Sequence, residues 1–176
     1  LPNLGIVSSH NLKSAALTIA GMIRATYDRA AIKNRQYRLV FDFTENTVWS
    51  EYLVPEEEGS TNEEGEEKEE ESEKTAEESG KAEVIAMGTY EIDDSELLEK
   101  YSLPAGVKLA GLESVHSNGE VKEGKDFILF LPNGFVEKSH IHLQGSGDTV
   151  FSLEVSPLTG NTRVHEEYTP FAKEGE

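Results

Sequence analysis

Residues 11–34, NLKSAALTIAGMIRATYDRAAIKN, decide how the chain is organised. Leu12, Ala16, Ile19, Ile23, Tyr27 and Ala30 recur at spacings of three and four, which places them on one apolar stripe of a helix. Lys13, Arg24, Asp28 and Lys33 fall largely off that stripe. Ser8, Ser9 or Asn11 is suited to cap the start and Asn34 to stop the helix, while Pro2 would kink any continuation through Leu1. At ~1.5 Å per residue the segment is a rod of about 36 Å. That is longer than most globular helices, so much of it must lie against other structure.

After Asn34 the period changes. In Tyr37-Arg38-Leu39-Val40-Phe41-Asp42-Phe43 the large apolar side chains at 37, 39, 41 and 43 alternate onto one face of a strand. Glu45-Asn46 supplies a turn, and Val48 to Val54 reads as the returning strand. Further strands are expected at 84–92, 107–115, 126–131, 139–143, 149–155 and 161–166, with a short helical turn at 95–101 capped by Ser95. Between the later strands stand the turn-forming stretches 117–119, 132–134, 145–148 and 157–160, rich in Gly, Asn and Pro. Short strands with such punctuation indicate antiparallel sheet. The expected class is α+β: a long N-terminal helix packed on a sandwich of about seven or eight strands.

Charge and composition narrow the function. The chain has 176 residues, no cysteine and a net charge of −18. Thirteen Glu and two Lys between Pro55 and Gly80 account for −11 of that charge. Residues 55–81 contain no large apolar side chain, so they are expected to form a disordered acidic insert in a single β-rich domain made of 35–54 and 82–170. Residues 1–34 are the expected stem, and 171–176 a flexible tail. A chain this acidic repels phosphate, so no nucleic-acid partner is expected. The absence of cysteine removes disulfides and thiol chemistry. No apolar run approaches the roughly 20 residues needed to cross a bilayer. Leu1 reads as an interior residue of a longer precursor.

No hydrolase elbow, zincin, phosphate-loop or dinucleotide motif is present, so no catalytic residue, cofactor or metal is expected. His140 and His142 share one face of a strand, within reach of one ion, but no third ligand accompanies them in sequence. Trp49, Phe41 and Phe43 read as sheet core.

The order of parts resembles the GspH/FimT-type pseudopilins, the H-class minor pseudopilins of type II secretion and their type IV pilus relatives. The resemblance rests on Leu1-Pro2-Asn3-Leu4, on Asp28 to Asn34 leading into Tyr37-Arg38-Leu39-Val40-Phe41, on Phe130-Leu131-Pro132-Asn133-Gly134, and on Ser152 to Val164 with its Pro157-Leu158-Thr159-Gly160 turn. The chain departs from the family pattern at the helix end. Asp28 stands where the family has Arg, and Ala30 replaces the usual glutamate.

The resemblance implies a non-enzymatic subunit of the pseudopilus tip that supports export of folded proteins. It further implies an inner-membrane anchor upstream of Leu1, a periplasmic domain, and contacts with other minor pseudopilins and the major pseudopilin, and it makes the secreted substrate or the secretin further candidate partners. Leu12, Ala16, Ile19 and Ile23 are the residues expected to pack in that assembly. Two alternatives stand beside this reading: a FimT-like minor pilin in pilus assembly or DNA uptake, and a secreted β-sandwich binding module.

Overall fold

The computed structural model describes residues 4–55 and 88–172, with side chains from Ser9 onward. Helix α1 spans Leu4–Lys33, 30 residues. It therefore begins before the expected start at Asn11. Asn11 is inside the helix, and its side-chain amide donates to the Ala105 carbonyl at 3.2 Å. The stop is where the sequence puts it. Asn34 takes a left-handed conformation (φ 49°). Its amide donates to the Ala31 carbonyl and the Arg35 amide to the Ala30 carbonyl, the paired bonds of a Schellman end.

Ten strands follow among the described residues: β1 Tyr37–Asp42, β2 Thr47–Pro55, β3 Gly88–Ile92, β4 Tyr101–Ser102, β5 Lys108–Ser114, β6 Lys125–Leu131, β7 Phe135–Val136, β8 Ser139–Gln144, β9 Val150–Val155 and β10 Thr162–His165. The count exceeds the expected seven or eight because β4 and β7 are two residues long, too short to show any alternation. At 95–101 there is a single turn closed by the Leu98 amide on the Ser95 carbonyl. Its cap is Asp93, whose carboxylate accepts from the Ser95 amide at 3.0 Å, rather than Ser95 itself. Of the expected acidic insert, Pro55 ends β2, and the rest lies outside the described residues together with 82–87.

The strands form two antiparallel sheets. One has the order β3-β2-β1-β6-β7, with β4 also paired to β2; the other runs β10-β9-β8-β5. Leu39, Phe41, Ile128 and Phe130 from the first sheet meet Ile141, Leu143, Leu153 and Val155 from the second in one buried cluster. Helix α1 closes that cluster and touches strands of both sheets. Asn46 ties the first sheet to the second through the β1–β2 turn. Held at φ 56° in the β1–β2 turn, it donates to the Val107 carbonyl and accepts from the Leu109 amide, each at 2.8 Å. Asn46 thus serves two main-chain groups flanking the start of β5 that would otherwise go unpaired.

Candidate assembly interface

The helix has two faces, and their division is sharp. Leu12, Ala15, Ala16, Ile19, Met22, Ile23, Thr26 and Ala30 are buried. The opposite face presents His10, Lys13, Ser14, Leu17, Gly21, Arg24 and Ile32 to solvent. Leu17 is 59% and Ile32 77% exposed, large values for apolar side chains. Gly21 lies between them on open surface, with nothing within 4 Å of where a Cβ would stand. Leu12, Ala16, Ile19 and Ile23, the four residues expected to pack in an assembly, are all 0% exposed. Their neighbours are the chain's own sheets, and the apolar stripe they form covers the open side of the sandwich. The helix face left in solvent is the one centred on Leu17. Leu17 stands out only in the structure, because a lone leucine among polar residues carries no periodic signal.

The C-terminal half of the helix is clasped by two turns from different sheets. Tyr27 Oη lies 3.1 Å from both the Gly134 and Leu158 carbonyls. Arg24 donates Nη1 to the Thr159 carbonyl at 3.1 Å and Nε to Asp28 at 3.1 Å. Pro132-Asn133-Gly134 and Pro157-Leu158-Thr159-Gly160 do supply turns, with positive φ at both glycines (80° and 63°). Gly160 has a second role. A Cβ there would stand 2.5 Å from Cγ of the Tyr27 ring, so the helix approaches this turn as closely as a residue without a side chain permits. Phe135 and Leu158 flank the clasp and are exposed.

The histidines form two further centres. His116 is held between carboxylates: Nδ1 is 2.7 Å from Glu137 and Nε2 is 2.9 Å from Asp126, with Phe127 stacked at 4.5 Å. Burial opposes its charge, but hydrogen bonds to Asp126 and Glu137 outweigh that effect and push its pKa up to about 9. Ser114 and Ser117 stand beside it. This is not a nucleophile with its base. A base needs a free nitrogen facing the hydroxyl, and here a carboxylate holds each nitrogen as an N–H. The cluster pins the β5–β6 connection to the β7–β8 junction.

His140 and His142 do share a face, the outer one of the second sheet, with ring centroids 6.4 Å apart. The chain's own groups cover them. His142 meets Ser152 at Nδ1 and Glu113 at Nε2, and His140 Nδ1 meets the Thr169 carbonyl. Residues 167–172, which follow β10, lie across both rings, with Tyr168 against His142 and Phe171 against His140. His165 arrives nearby but pairs with Glu154 at 3.0 Å. Among the described residues no group of three carboxylates or imidazoles is placed to hold a metal ion.

Trp49 is not in the shared core. It lies on the outer face of the first sheet, only 7% exposed, because the Lys100 and Lys125 ammonium groups stand 5.0 and 5.3 Å from its ring. Its Nε1 donates to Glu51, which also pairs with Arg38. Phe41 is fully buried and Phe43 packs at the core's edge. No helix among the described residues is long and apolar enough to cross a membrane.

No protein-family model matches the chain, and no curated protein does. Solved structures do match. The chain is similar to the minor pseudopilin EpsH from the type 2 secretion system of Vibrio cholerae in two separate structures. In the first the TM-score is 0.60 at 10% identity, over 92% of this chain and 99% of that one. In the second it is 0.52 at 12% identity, over 94% and 99%. At such identities the likeness is one of fold, and it extends over nearly the whole length of both chains. The pilin-like arrangement expected from the sequence is the arrangement observed.

Proposed function

We propose that this chain is a minor pseudopilin of a type II secretion system, a structural subunit of the pseudopilus tip with no chemistry of its own. The observation that carries the reading is the end-to-end fold likeness to EpsH, a minor pseudopilin of such a system. The helix supports it, since it keeps one face for its own sandwich and turns Leu17 and Ile32 outward. In this reading the domain lies in the periplasm, anchored to the inner membrane by a segment upstream of Leu1. Its partners are other minor pseudopilins and the major pseudopilin.

Leu17 is the residue through which the helix meets a neighbour. The test is a pair of substitutions in the full-length protein. Leu17→Glu leaves the core intact, so the variant should accumulate to normal levels but fail to support export of folded proteins. Ile19→Asp places a charge in the core and should remove the protein itself. A Leu17→Glu strain with wild-type secretion would remove the interface. Normal secretion from a strain lacking the gene, together with a defect in pilus function, would move the protein to the type IV pilus.

A further inference from the structure

Residues 167–172 leave the end of β10 and cross the outer face of the second sheet without joining it as a strand. What holds them is a short set of side-chain contacts. Ser152 Oγ donates to the Glu167 carbonyl and accepts from the Thr169 amide, each at 2.8 Å. Lys138 Nζ donates to the Ala172 carbonyl at 2.9 Å. The Tyr168 ring stacks on His142 at 4.5 Å, and Phe171 stands edge-on to His140 at 5.3 Å. His140 Nδ1 is 3.2 Å from the Thr169 carbonyl and must donate to it, because a carbonyl only accepts. His140 is 4% exposed.

We propose that this C-terminal segment is a strap released by acid, with His140 as the group whose protonation opens it, baring a histidine-rich face of the second sheet. The strap buries His140 and receives its one neutral N–H. A second proton must go on Nε2, inside the same covered site.

Charges of both signs surround His140. Lys138 and His142 lie two residues away on β8 and oppose a new cation. Arg163 on β10 and Lys122 on the β5–β6 connection add positive charge to this side of the molecule. Glu154 on β9, already paired to His165, and Glu113 on β5, already near His142, favour the cation. Glu120, over Gly111, and Glu166 and Glu167 are acids at the margin. Burial is the largest effect, and the balance holds the His140 pKa below its ordinary value of 6.5.

Linkage fixes the sign. The open state exposes His140 and binds the proton more readily, so falling pH below 6.5 favours opening. One proton taken up on opening changes the equilibrium by at most about tenfold per pH unit, down to the pKa of the strapped state.

The experiment is amide hydrogen exchange of the Thr169 N–H in the whole chain between pH 7.5 and 5.0, corrected for intrinsic exchange. The Val40 amide in β1 serves as a control for global unfolding. Protection of Thr169 should fall several-fold below pH 6.5 while that of Val40 stays constant. His140→Asn keeps a donor toward the Thr169 carbonyl without a titrating ring, so its Thr169 protection should be flat with pH. Phe171→Ala, which loosens the strap, should move the NMR-detected titration of His140 up toward 6.5. A Thr169 protection that is independent of pH in the wild-type chain would overturn the proposal. So would an equal acid loss in His140→Asn, or a His140 titration unmoved by Phe171→Ala.

Discussion

Gly160→Ala is the perturbation whose magnitude the structure fixes best. Two effects act at this position. The backbone stands at φ +63°, where an L-residue costs about 1 kcal/mol or slightly more relative to glycine. The new methyl also meets Cγ, Cδ2 and Cβ of Tyr27 at 2.5, 2.7 and 2.9 Å, so the turn or the helix must move. Overpacking of that kind costs about 2 kcal/mol. The sum is about 3 kcal/mol.

Two other glycines separate the terms. Gly147 has a similar φ of +70° with nothing within 4 Å, so Gly147→Ala should cost about 1 kcal/mol. Gly134 has φ +80° and only Tyr27 Oη at 3.4 Å, an ordinary contact, and Gly134→Ala should resemble it. Urea unfolding followed by the fluorescence of Trp49, the single tryptophan, reads all three variants. With a slope of about 2 kcal/mol per molar, the Gly160→Ala midpoint should fall by about 1.5 M. Tyr27→Ala removes the two ring atoms that the methyl strikes but keeps Cβ, 2.9 Å away. In that background Gly160→Ala should therefore cost about 2 kcal/mol, a coupling of about 1 kcal/mol. Equal costs for Gly160→Ala and Gly147→Ala, or a coupling near zero, would refute the close approach of helix and turn.

Ile19→Asp should destabilise the isolated domain by about 4 kcal/mol or more, because it leaves a charge unpaired in the core. Leu17→Glu should stay within about 0.5 kcal/mol of wild type in the same urea assay. Asn46→Ala should cost about 3 kcal/mol, since it leaves the Val107 carbonyl and Leu109 amide without partners and strains a positive φ; differential scanning calorimetry measures it. The His116 pKa rises from 6.5 to about 9 on folding, so its contribution is complete below pH 6.5 and is lost as pH rises through 9. Unfolding midpoints taken from pH 6 to 10 should fall over that window in the wild-type chain and fall less in His116→Gln.

Much of the fold was legible because local rules and tertiary packing agree. The stripe of Leu12, Ile19 and Ile23 repeats at helical spacing, and Tyr37, Leu39 and Phe41 alternate at strand spacing. Each pattern exists because one face of the element is buried in the shared core. Asn34 stopped the helix as expected because left-handed backbone is a property of the residue itself. Strands β4 and β7 were not legible, since two residues carry no period. The start of the helix at Leu4 was obscured because Ser8, Ser9 and Asn11 look like caps, and Asn11 spends its amide on Ala105 instead.

Interfaces were harder to read than elements. A buried stripe and a docking stripe look alike in sequence, since both are apolar at the same spacing. Only the packing of both sheets onto Leu12, Ala16, Ile19 and Ile23 shows that this stripe serves the domain's own core.

By itself, then, the sequence determined the class and the order of the parts. Periodicity, turn residues and charge are local, and they specify a long helix followed by antiparallel strands. The tertiary structure decided what each part touches. It joined Gly134 and Gly160, far apart in the chain, around Tyr27, and it set His116 between Asp126 and Glu137. It also laid residues 167–172 over His140 and His142. Such contacts depend on where whole sheets sit relative to one another, and residue spacing holds no record of that.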